Sequence, residues 1–193
     1  MPGGRPRSFN PDTALDRALE LFWQQGYEGT SLAELTAAMG INKPSLYAVY
    51  GNKEQLFAKA LDRYFAGPGA FAAEALDEPT IRAVVERLVF GSIELTTGAD
   101  TPHGCLTVKG VHACGPDAGP VRDDAVRRRK AGEAALRRRF ENAPDLPRGT
   151  NAATLAQLVH TLTDGIAVQA AAGRGGGELR AVAELALRGL LDD

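Results

Sequence analysis

The chain has 193 residues, enough to bury a core without disulfide staples, and its two cysteines are too few for a disulfide framework. Hydrophobic residues make up 44% and charged residues 24%, and no apolar run approaches the ~20 residues of a membrane span, which excludes a disordered chain and a membrane-embedded one. A formal net charge of -2 excludes indiscriminate coating of nucleic acid, so any DNA contact must rest on local patches and shape.

Leucine and alanine are abundant, apolar residues recur at spacings of three and four, and no stretch alternates with period two, so the chain reads as all-α. Residues 1–9 form an arm carrying Arg5 and Arg7; it lacks the apolar stretch of a secretory signal, which makes the cytoplasm the expected location. Asn10 as cap, Pro11 at the first helical position and Gly26 as the stop bound a first helix, with Ala14, Leu15, Ala18, Leu21 and Phe22 as its apolar stripe. Thr30 or Ser31 caps a second helix, in which Leu32, Leu35 and Met39 share one side and which Gly40 ends. Asn42 caps a short third helix. Pro44 is tolerated in its first turn because no intrahelical donor is needed there, Leu46 and Tyr50 point inward, and Gly51 breaks it. Asn52 caps a fourth helix over 53–65, whose apolar side is Leu56, Phe57, Ala60, Leu61 and Tyr64.

The tight Gly40-Ile41-Asn42 turn between the second and third helices is the geometry that presents a recognition helix to the major groove. Around it stand Gly26-Tyr27-Glu28-Gly29-Thr30-Ser31, then Met39-Gly40-Ile41-Asn42-Lys43-Pro44-Ser45-Leu46-Tyr47, then Asn52-Lys53-Glu54-Gln55-Leu56. In this order and spacing the first third of the chain resembles the TetR (tetracycline-repressor-like) family of transcriptional regulators. The resemblance implies a DNA-binding domain over 1–65 with its helix-turn-helix at 31–50, and a ligand-binding and dimerisation domain over 66–193. It also implies a homodimer on a roughly palindromic double-stranded operator, most often as a repressor, released by an unknown small-molecule effector or by thiol modification, with no catalytic role and no cofactor. Phosphate contacts would come from Ser31, Tyr47 and Lys53, the last joining its cation to the positive end of the fourth helix. Base reading would fall to Lys43, Pro44, Ser45, Ala48 and Val49, with Lys43 facing guanine and the small apolar surfaces facing thymine methyls. Arg5 and Arg7 either reach the minor groove or phosphates, or belong to a disordered tail. Thr36 stands where the family usually has alanine, a departure expected to shift helix packing slightly.

Gly67, Pro68 and Gly69 mark a break, consistent with a boundary near residue 66, and further helices are expected over 80–97, 105–114, 121–142, 150–172 and 178–191. The last two offer apolar faces for pairing with a second subunit, as the resemblance implies: Leu155, Leu158, Leu162 and Ile166 on one, Val182 and Leu190 on the other, part of that stripe being needed for the chain's own core. The glycine run at 173–177 lacks a following Lys-Ser/Thr and lies between helices, so it reads as a connector and not as a phosphate cradle. Arg127, Arg128, Arg129, Arg137, Arg138 and Arg139 cannot share one helix face and are interrupted by acids, which reads as a solvated, ion-paired surface. His103-Gly104-Cys105-Leu106, followed by His112-Ala113-Cys114, is the most suggestive chemistry of this half. Cys105, with His103, is a candidate for redox or ligand sensing because a helix N-terminus activates a thiol; soft metal ligation and ordinary packing are the alternatives. An enzyme would need an acid, base or nucleophile set, and His103, His112 and His160 have no evident carboxylate or metal partner.

Overall fold

The computed structural model describes residues 9–113, 115–116 and 118–191; Arg5, Arg7 and Cys114 lie outside them. Among the described residues the chain forms α1 (Pro11–Gln25), α2 (Leu32–Met39), α3 (Lys43–Tyr50), α4 (Lys53–Ala66), α5 (Phe71–Glu74) and α6 (Ile81–Thr97). They are followed by α7 (Leu106–Val111), α8 (Gly119–Glu141), α9 (Ala152–Ala171) and α10 (Gly176–Leu191), and a 3₁₀ turn, Ala75–Asp77, links α5 to α6.

The helix starts are set by local side-chain chemistry. Asn10, Ser31, Asn42, Asn52, Thr80 and Asn151 each accept hydrogen bonds from backbone N–H groups of the first turn, which have no carbonyl partner of their own. At Ser31 and Asn52 the bond is reciprocated by Glu34 and Gln55, giving two capping boxes that hold the entries of α2 and α4. Gly40, at φ +67°, ends α2 in the left-handed region and turns the chain at once into α3. Three boundaries differ from expectation, and the first is that α7 ends at Val111 and not at 114. α8 begins earlier, with Pro120 in its first turn, and α10 begins within the glycine run, at Gly176.

Two apolar cores result. The first gathers α1 to α4 around Phe22, Leu35, Leu46, Leu56, Phe57 and Leu61, and it also takes in Leu106, Ala113, Ala118 and Val121 from beyond residue 66. The second joins α6, the end of α8, α9 and α10 around Ile81, Val84, Val89, Leu136, Phe140, Leu155, Val159 and Ile166. The face that α1 buries is rotated from the expected stripe: Leu19 and Trp23 are buried, whereas Leu15 and Leu21 are only half-buried. The rotation follows from α7, which covers the C-terminal end of α1 where Trp23 lies. The indole Nε1–H donates to the Gly104 carbonyl at 2.7 Å and the ring meets Tyr64 edge-on at 4.9 Å.

Candidate nucleic-acid interface and sensing recess

The helix-turn-helix presents its predicted DNA residues from three helices. Ser31 is exposed at the start of α2; its Oγ accepts the Glu34 N–H at 3.2 Å, which leaves the hydroxyl proton free to donate outward. On α3, Leu46 and Tyr50 are buried and Tyr50 donates to the Pro11 carbonyl at 2.6 Å, locking α3 to α1. That register turns Tyr47 outward, at 45% exposure. Lys43, Pro44 and Ala48 are exposed as well, and Ser45 and Val49 are half-buried.

Lys53 is the first residue of α4, and its Nζ lies 4.3 Å from the centre of the Tyr27 ring. Partial burial pulls its pKa down, and the carboxylates of Glu28 and Glu34 push the other way, so the ammonium is held in a local acidic setting. Tyr47, Asn52 and Lys53 line one recess of about 550 Å³ together with Tyr27, Glu28, Gly115 and Pro116. Glu34 in turn has a lowered pKa, chiefly through its hydrogen bonds with Ser31. Tyr47 and Lys53 therefore share one recess, and Leu32, the residue after Ser31, lines it too.

Cys105 occupies the residue before α7, with extended backbone and no capping bond from its side chain to the helix. Its Sγ lies 3.0 Å from the Thr107 hydroxyl and accepts from the Tyr64 hydroxyl at 3.5 Å. Tyr64 is buried, and its phenol is pushed well up, first by burial and then by the neighbouring thiol. Cys105 lines a second recess, of about 530 Å³, between the end of α1, α7 and α9, with Lys109 and His112 among its walls. His103 is exposed on the preceding loop and is not among them, so the structure brings His112, and not His103, to the thiol's recess.

The segment around Cys105 is fastened to the DNA-binding half. Besides the Trp23–Gly104 bond, the Lys109 ammonium donates to the Trp23 carbonyl and, at 2.9 Å, to the Gln24 carbonyl, satisfying orphan acceptors at the C-terminal end of α1. Burial lowers the Lys109 pKa and Cys105 opposes that shift. Neither of these two side chains, Trp23 and Lys109, carries a signal in the sequence for its partner, because the contacts span more than eighty residues.

The expected subunit-pairing stripe needs correction. Leu155 and Ile166 are each 3% exposed and belong to the second core, so they are unavailable to a partner. Leu162 is half-buried and packs against that core, and Leu190 is half-buried too. Leu158 and Val182 are exposed, as are Val168 and Leu185 on the same two helices. α9 packs its inward face on α6, which claims Leu155 and Ile166. The arginine-rich α8 is also less purely solvated than expected: Arg128 bridges Asp124 and Asp62, at 2.8 and 2.7 Å, Arg129 pairs with Asp164, and Arg139 donates to the Leu76 and Glu78 carbonyls.

Residues 14–60 match the family model described as bacterial regulatory proteins, tetR family. The chain is 32% identical over 193 residues to the HTH-type transcriptional repressor ComR of Escherichia coli K12, covering 96% of this chain and 90% of ComR. It is 36% identical over 135 residues to the repressor BdcR of the same organism, 69% of this chain and 66% of BdcR. Among solved structures, a cysteine mutant of the TetR family regulator CifR in complex with 26-bp double-strand operator DNA superposes with a TM-score of 0.90 at 39% identity, over 95% of this chain and 98% of that one.

Proposed function

The chain belongs to the TetR family of bacterial regulatory proteins, and from that premise we propose that it is a transcriptional repressor that grips operator DNA as a homodimer and releases it when the Cys105 recess is occupied or its thiol is modified. Residues 1–65 serve as the DNA-binding part, with Ser31, Tyr47 and Lys53 on phosphates and Lys43, Pro44, Ser45, Ala48 and Val49 toward bases. Residues 66–193 serve for sensing and pairing. The observation that carries the reading is the meeting, in one recess, of Tyr47 from α3 with Lys53 from α4 and with Leu32, the residue after Ser31 at the start of α2. CifR, one of the structural neighbours, was itself solved, as a cysteine mutant, on operator DNA. No catalysis is assigned, and the cytoplasm is the compartment in which such a protein meets its DNA; among the described residues no helix is long and apolar enough to cross a membrane.

The test is a fluorescence titration against a duplex that the purified chain selects from a random-sequence pool. Tyr47→Phe and Lys53→Ala are expected to weaken binding on every duplex alike, and Lys53→Ala is expected to lower the salt slope by about one for each half-site, with helical content intact. Unchanged affinity in both variants would defeat the reading.

A further inference from the structure

We propose that Glu28 is a positioning residue for DNA binding: its carboxylate is bonded to the Gly115 amide and lies in one recess with the Lys53 ammonium, and the loop after α7 sets how freely Lys53 holds a phosphate. The inference rests on the reading of Lys53 as a phosphate anchor.

Four observations converge. The Glu28 carboxylate accepts the backbone N–H of Gly115, 87 residues further along the chain. Glu28, Gly115, Pro116, Tyr47 and Lys53 line the same recess, so the loop after α7 reaches the first residue of α4 directly. Lys53 is stacked on Tyr27, the residue beside Glu28, and the Glu28 carboxylate opposes the fall that burial imposes on the Lys53 pKa. Finally, a Cβ built on Gly115 would lie 2.5 Å from Glu28 Oε1, so the loop approaches this carboxylate too closely for any side chain at 115 unless the carboxylate moves.

A carboxylate is an acceptor only, and the lone pairs that the Gly115 N–H engages are less available to Lys53. If that amide withdraws, the carboxylate pairs more closely with Lys53 and competes with phosphate for it. Gly115 closes the segment that begins at Gly104 and contains Cys105 and α7, so a shift of α7 is felt at the phosphate anchor. This coupling changes a charge balance and needs no change in the spacing of the recognition helices.

A double-mutant cycle tests it, with the same selected duplex at fixed salt and circular dichroism to confirm the fold. Gly115→Ala, at a position outside the left-handed region, pushes the Glu28 carboxylate off the loop and is expected to weaken binding by about two- to fivefold for each half-site, the size of a surface ion pair. Glu28→Gln is expected to tighten binding by a similar factor and to abolish the effect of Gly115→Ala. In a Lys53→Ala background Glu28→Gln should gain nothing, because the carboxylate acts through Lys53. A gain that persists there would mean general repulsion of DNA and would overturn the inference, as would an effect of Gly115→Ala that survives Glu28→Gln. Weakened binding in Lys53→Ala with no change in Glu28→Gln defeats the inference alone, whereas unchanged binding in Lys53→Ala defeats the phosphate reading and the inference with it.

Discussion

Replacing Trp23 with phenylalanine keeps an aromatic ring at the junction of α1, α4 and α7 but deletes the N–H that Gly104 accepts. Trp23 is 3% exposed, so water cannot replace the lost donor, and a buried carbonyl left unpaired costs about 1–3 kcal/mol. The smaller ring also leaves unfilled space against Tyr64, for about 1 kcal/mol more. A total of about 2–4 kcal/mol is a large fraction of a typical folding stability and, at about 2–4 °C per kcal/mol for a chain of this size, lowers Tm by about 4–16 °C. The chain has one tryptophan, so its fluorescence is lost with the substitution and urea unfolding must be followed by far-UV circular dichroism. Protein concentration must be matched between variants, because dimerisation adds to apparent stability. A loss below about 0.5 kcal/mol would show that the indole bond does not hold α7 to α1, and would remove the physical link between the Cys105 segment and the DNA-binding helices.

Cys105→Ser should retain DNA binding and lose release by hydrogen peroxide or N-ethylmaleimide; equal release from wild type and variant in a titration would place the sensor elsewhere. Leu185→Arg, at a residue 66% exposed in the single chain, is expected to give a folded monomer in sedimentation, while Leu155→Arg buries an unpaired charge in the second core and should unfold the chain. If both variants sediment as folded dimers, the pairing face is wrongly placed. His160 is held below its ordinary value near 6.5, first by burial and then by Arg129, against the raising influence of Asp164 and Glu133. The unfolded chain therefore binds this proton at a higher pH than the folded one, and stability should fall as pH drops below about 6.5, levelling off beneath the folded pKa. His160→Gln should flatten that slope in urea titrations across pH 5–7, and an unchanged slope would contradict it.

What could be read from the residues in advance was mostly local. Asn10, Ser31, Asn42 and Asn52 announce their helices because a cap is a bond between a side chain and amides two or three positions away. The outward turn of Tyr47 follows from Leu46 and Tyr50 taking the inward positions of a helix with 3.6 residues per turn. α5 and the 3₁₀ turn escaped notice because four and three residues are too short for periodicity to register. Leu155 and Ile166 were misassigned for a different reason. Their helix carries apolar residues on more than one side, and which side a partner subunit takes depends on where α6 lies. The bonds from Trp23 to Gly104 and from Glu28 to Gly115 join positions 81 and 87 apart, and nothing in either neighbourhood of the chain points to the other.

Because the first core incorporates Leu106, Ala113, Ala118 and Val121, the DNA-binding helices are not an excisable module. A fragment ending near residue 66 would uncover the apolar surfaces of Phe57, Leu61 and Tyr64 that α7 and α8 now roof. In native-state hydrogen exchange, the amides of α7 should open together with those of α1 and α4, and independently of α9 and α10, which sit in the other core. The cooperative units expected from these two cores cut across the order of the chain, a segment from its middle opening in step with its beginning.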